Sequence, residues 1–128
     1  MAHVRAEAAE LKSILIVEDE PLTALDLRYA CEDAGFQAVG VTTSRQAMEA
    51  LGSDTAITGA VLDLNLGRGE SCAAIARALR ERDIPFVLHT GDKNRSDVDL
   101  AAIDAPIIAK PSAAAEVIRS LLDWSDPS

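Results

Sequence analysis

Apolar residues recur along this chain in two alternating rhythms. Ser13 to Val17 is a short run rich in β-branched residues, and it ends abruptly in Glu18, Asp19 and Glu20. A continuous apolar run of that length reads as a strand buried on both faces. Pro21 suits the first turn of a helix, and Leu22, Leu25 and Tyr29 recur at helical spacing. A helix is expected to about Ala34, with Gly35 as its stop. The alternation then repeats, with further strands expected at Phe36–Val41, Ile57–Leu62, Pro85–Leu88 and Pro106–Ala109. Ser44 is the expected N-cap of a helix through Leu51. Cys72, Ile75, Ala76 and Leu79 mark a helical stripe between Glu70 and Arg82. Ser96–Ala102 reads as a short helix, and Val117, Ile118, Leu121 and Leu122 mark a final one after Pro111 and Ser112. Five strands alternating with helices imply an α/β fold, a parallel sheet covered on both faces. Residues 1–12 are Ala- and Glu-rich without a sustained apolar stripe and read as a tail or a loosely held helix.

Composition narrows the classes. The 128 residues suffice for one domain, and aromatics make up 3%, so the core must be built from Val, Ile, Leu and Ala. A net charge of −9 argues against a general nucleic-acid or membrane-surface binder and permits a collector of divalent cations. Cys31 and Cys72 form no Cys-x-x-Cys pair, so neither zinc nor redox chemistry is suggested. No apolar run approaches the roughly 20 residues of a membrane span, and the first residues lack a signal-peptide core. A cytoplasmic location is the expectation.

In open parallel sheets ligands bind beyond the carboxyl ends of the strands. After the first strand come Glu18, Asp19 and Glu20; at the end of the third, Asp63 and Asn65; after the fourth, His89 and Thr90; after the fifth, Lys110. If strands one, three, four and five are neighbours, these groups converge. Clustered carboxylates repel unless a cation joins them, and Mg²⁺ takes octahedral oxygen ligands. Asp19 and Asp63 can each supply one, and a backbone carbonyl after Asp63 a third. A carboxylate can attack a phosphoryl group, with Lys110 supplying a cation and Thr90 a hydrogen bond to the transferring oxygens. Taken singly, these acids, Thr90 and Lys110 have ordinary readings as loop, cap and surface residues; the combination at successive strand ends carries the case. His89 is read as an ordinary residue, since nothing pairs it with a metal set.

Ile14-Leu15-Ile16-Val17-Glu18-Asp19-Glu20-Pro21 resembles the opening of receiver domains in two-component signalling. Val61-Leu62-Asp63-Leu64-Asn65-Leu66 resembles their phosphoacceptor segment, and Thr90-Gly91 and Lys110-Pro111 resemble their hydroxyl and lysine motifs. The resemblance implies a doubly wound, flavodoxin-like sheet of order 2-1-3-4-5 over residues 13–124, between tails at 1–12 and 125–128. It implies Asp63 as acceptor, Asp19 as a direct Mg²⁺ ligand, Glu18 assisting through water, and Asn65 giving its backbone carbonyl. Thr90 and Lys110 would engage the phosphoryl oxygens, and the Lys110–Pro111 bond is often cis in the family. The implied partner is a histidine kinase or histidine phosphotransfer protein, with a downstream protein as the target.

Three departures stand out. Glu18 replaces a common Asp. Ile107 stands where many receivers carry a Tyr or Phe that rotates on activation. His89-Thr90-Gly91-Asp92 resembles a Thr-Gly subgroup that includes stand-alone receivers, and the stretch from Thr90 to Lys110 is short for a full helix. The expectation is a phospho-switch rather than a turnover enzyme, with no output domain on this chain. The alternatives are a pseudo-receiver acting without phosphorylation and a phosphatase of the haloacid dehalogenase type. The latter is disfavoured because Asn65 replaces its second Asp and no cap domain fits.

Overall fold

The computed structural model describes residues 12–63, 73–91, 105–110 and 112–125. Five strands form one parallel sheet: β1 (Ser13–Val17), β2 (Gln37–Val41), β3 (Ile57–Leu62), β4 (Phe86–Thr90) and β5 (Ile107–Ala109). Their order is β2-β1-β3-β4-β5. Four helices are described: α1 (Pro21–Asp33), α2 (Ser44–Leu51), α3 (Ala73–Glu81) and α4 (Ala114–Ser125). The expected helix at Ser96–Ala102, Asn65, Pro111 with its peptide bond, Glu70–Cys72, and tail residues 1–11 and 126–128 lie outside the described residues.

Alternation of side chains along the strands builds two cores. Leu15, Val17, Leu62, Phe86 and Leu88 pack on one face with Ala47 of α2 and Ile75, Ala76 and Leu79 of α3. Ile14, Ile16, Val61 and Val87 pack on the other with Leu27 and Cys31 of α1 and Val117, Ile118 and Leu121 of α4. All five positions of β1 are buried, as two-sided coverage requires.

Sequence patterns place most boundaries, with three corrections. The helix at 21–33 forms, but Leu22, Leu25 and Tyr29 are its exposed apolar residues, at 71%, 39% and 55% exposure. Leu27 and Cys31, spaced i, i+4, are buried instead, and partly buried Ala30 packs beside them. The N-cap of α2 is Thr43 rather than Ser44: the Thr43 hydroxyl accepts from Gln46 N at 3.1 Å, while Gln46 Oε1 accepts from Thr42 N at 2.8 Å. β4 runs on to Thr90, because His89 and Thr90 continue the ladder against Ile108 and Ala109.

Gly35 stops α1 as expected. At φ +92° it lets Phe36 N donate to Cys31 O and Gly35 N to Glu32 O, at 2.9 and 3.0 Å.

Candidate functional site

The parallel register sets the site. Val17 pairs with Leu62, Leu62 with Leu88, and His89 with Ile108. One residue past Val17 and Leu62, the chain brings Glu18 beside Asp63 and Asp63 beside His89. Asp63 N donates to Val17 O at 2.9 Å and holds that row at the sheet's carboxyl edge. The row has the parity of Ile16, Val61 and Val87, so it belongs to the α1/α4 face.

Glu18 and Asp63 are 2% and 3% exposed, while Asp19 stands open to solvent. One carboxylate oxygen from each of the three lies within 4.8 Å of the others. Lys110, entering from the end of β5, bridges the two buried acids. Its Nζ donates to Glu18 Oε2 at 3.3 Å and to Asp63 Oδ2 at 3.4 Å. It also lies 3.0 Å from Glu18 Oε1, an ion pair without hydrogen-bond alignment, so that buried oxygen keeps unused accepting capacity. Glu20 caps α1 by accepting from Thr23 N at 2.7 Å, and its own N donates to Glu18 Oε2 at 3.1 Å.

Burial pushes the Glu18 carboxyl up to about 7, and the charge of Asp63 adds to the rise; Lys110 and the Glu20 amide oppose it. Burial works against the Lys110 ammonium, but its bond to Glu18 and the field of both acids outweigh that and raise its pKa. Two buried acids thus share one ammonium. The carboxylates of Glu18, Asp63 and Asp19 have the hard-oxygen chemistry that Mg²⁺ prefers, and the residues fit such an ion.

Thr90 is fully buried at the end of β4, and its carbonyl accepts from Lys110 N at 2.9 Å. The structure therefore brings Glu18, Asp19, Asp63 and Lys110 together and ties Thr90 to Lys110 through the backbone; Asn65 is outside the described residues. Gly91 keeps a φ that any residue adopts, and an added Cβ would meet only Lys110 Cβ at 3.8 Å, so this conformation does not itself require glycine.

No family model matches the chain. Phyllosphere-induced regulator PhyR of Methylorubrum extorquens is 33% identical over 116 residues, which is 88% of this chain and 43% of PhyR. The chain thus spans less than half the length of that relative. A response regulator receiver protein from Sinorhizobium medicae superposes with a TM-score of 0.79 at 28% identity, over 93% of this chain and 98% of that one. SdrG from Sphingomonas melonis is 41% identical with a TM-score of 0.71, over 88% of this chain and 97% of SdrG. This chain is a response-regulator receiver domain. Its relatives are signalling regulators, and the receiver's sheet order is the one its sequence motifs imply. Among the described residues of the receiver, no helix is long and apolar enough to cross a membrane.

His89 is the residue that sequence reasoning passed over. It is 3% exposed, neither ring nitrogen has a hydrogen-bond partner among the described residues, and it lies next to Asp63 in the row. Burial, then the charge of Lys110, holds its pKa below the usual imidazole range, with Asp63 pulling the other way. The available signal is its place between the apolar run that ends at Leu88 and the motif residue Thr90.

Proposed function

We propose that this receiver takes a phosphoryl group onto Asp63 from a histidine kinase or histidine phosphotransfer protein, with Mg²⁺, and switches protein–protein contacts in the cytoplasm. The folded unit is residues 13–124. The observation that carries this reading is the Lys110 ammonium held between Asp63 and Glu18, with Asp19 beside them. A nucleophile needs its negative charge offset near the incoming phosphoryl group, and a transferring phosphoryl group needs cations around its oxygens. Asp63 supplies the attacking oxygen. Glu18, Asp19, Asp63 and the Asn65 carbonyl would hold Mg²⁺, which offsets charge on the phosphoryl oxygens when bound. Lys110 and Thr90 give the remaining donors, and the Thr90-Gly91 pair supports a reading within the Thr-Gly subgroup. The chain needs no turnover on an external substrate to do this.

The test is Mg²⁺-dependent labelling by acetyl phosphate. Wild type should acquire a base-labile acyl phosphate, and Asp63→Asn should remain folded and unlabelled. Labelling of that variant at the wild-type level would remove Asp63 as acceptor. A wild-type protein that never labels would instead be an interaction module that works without phosphorylation.

A further inference from the structure

A buried polar group without a partner is rare in folded proteins, and its cost calls for a compensating use. Among the described residues, two such cases are Glu18 Oε1, already part of the acid cluster, and the two nitrogens of His89. The His89 ring is inaccessible to partners or modifying enzymes at 3% exposure. What it adjoins is the reacting centre: Asp63 and His89 each follow directly on the paired Leu62 and Leu88, and the charges of both Asp63 and Lys110 reach the ring. We propose that His89 is a positioning residue for the phosphorylated state, gaining hydrogen-bond partners only when Asp63 carries a phosphoryl group and so prolonging that state's lifetime. The inference rests on the phosphoacceptor reading given above.

The chemistry is balanced without His89 taking a proton. In loading, an Asp63 carboxylate oxygen bonds to phosphorus as the donor's bond to phosphorus breaks, and the donor leaves with that electron pair and takes up a proton. In loss, a water oxygen bonds to phosphorus, the Asp63 oxygen–phosphorus bond breaks, and the carboxylate departs with its electron pair. The proton released by the water passes to phosphate or solvent. A neutral imidazole offers one N–H donor and one bare nitrogen. The phosphoryl group adds acceptor oxygens at the end of β3. It also draws on Lys110, whose ammonium is divided between Glu18 and Asp63 in the unmodified protein. Acceptor oxygens and a redirected ammonium are the partners the ring lacks. An interaction made in one state and absent in the other shifts the balance between them, whereas one present in both does not.

This separates His89 from a merely structural residue. Replacing it should leave the unmodified fold as stable or more so, because an unpaired buried ring is removed, while the phosphorylated state becomes shorter-lived. Three measurements decide it. Protein labelled with acetyl phosphate is freed of donor in excess Mg²⁺, and the half-life of the acyl phosphate is followed in wild type, His89→Val and His89→Asn. Thermal unfolding of the unmodified proteins is measured in parallel. The ring ¹⁵N shifts of His89 in wild type are recorded with and without beryllofluoride.

The expected result is a half-life about tenfold shorter in His89→Val, substantial recovery in His89→Asn, an unfolding temperature no lower than wild type, and ring shifts that move on adding beryllofluoride. A half-life in His89→Val within about twofold of wild type, the scatter expected of a residue with no differential contact, would overturn the proposal. So would ring nitrogens that do not respond to beryllofluoride, a reading that holds even where a variant fails to fold. Absence of labelling in wild type would overturn the phosphoacceptor reading itself, and the role of His89 with it.

Discussion

Replacing Glu18 by Gln keeps the shape of a buried side chain and removes its ability to ionise. Folding raises the Glu18 carboxyl from 4.5 to about 7, first by burial and then by the neighbouring charge of Asp63. The folded protein therefore holds a proton that the unfolded chain releases. The stability this confers is fully present below pH 4.5 and is lost as pH rises through 7. The rise from 4.5 to about 7, at about 1.4 kcal/mol per tenfold in proton affinity, amounts to about 3 kcal/mol. Glu18→Gln lacks this dependence. In urea unfolding with EDTA, the variant should gain on wild type by up to about 3 kcal/mol between pH 4.5 and 8. Lys110 remains charged over that interval, because the two acids raise its pKa, so its loss of one partner shifts the baseline without adding slope. Excess Mg²⁺ should flatten the wild-type curve by stabilising the ionised acid. A difference between the two proteins that does not change with pH, or that changes in wild type's favour as pH rises, would refute this account of the cluster.

Other expectations follow from the same geometry. Asp19→Ala should weaken Mg²⁺ binding in a calorimetric titration and leave the metal-free protein at least as stable, since one of three mutually repelling carboxylates is gone; unchanged affinity would exclude Asp19 as a ligand. Amide exchange with and without beryllofluoride should change most at residues 90–102, because Ile107 is a stiff β-branched side chain without a polar tip to present; changes centred on Ile107 and α4 would contradict this. Leu121→Ala should cost about 2–5 kcal/mol in denaturant unfolding, since Leu121 is 1% exposed and its Cδ2 lies 3.1 Å from where a Cβ on Gly59 would stand.

Much of this was legible in the residues, for a physical reason. Strands covered on both faces must be apolar throughout, so β1 and β3 announce themselves, and acids directly after such runs must fall at the sheet's edge. Burial at α1 was not legible. Leu22, Leu25 and Tyr29 have the right spacing for a core stripe, but the helix turns Leu27 and Cys31 to the sheet, and a periodicity cannot say which of two apolar faces is covered. β4 appeared to end at Leu88 because His89 and Thr90 are polar types. Pairing with β5 carries them into the ladder and buries them. Charge sharing at Lys110 needs four strands, β1, β3, β4 and β5, in register, which no local pattern encodes.

β5 has three residues at the open edge of the sheet, none fully buried, whereas β1 and β3 are central and nearly sealed. Lys110 follows directly on that short strand, and Asp63 on the sealed one. Segments with few buried contacts open at low free energy, and core strands open only near the global limit. The acid and its counter-ion thus belong to regions of unequal compliance. A change of charge at Asp63 meets a stiff anchor on one side and a yielding one on the other. Its lowest-energy outlet is therefore repositioning of the Lys110 side chain, with β3 held in place.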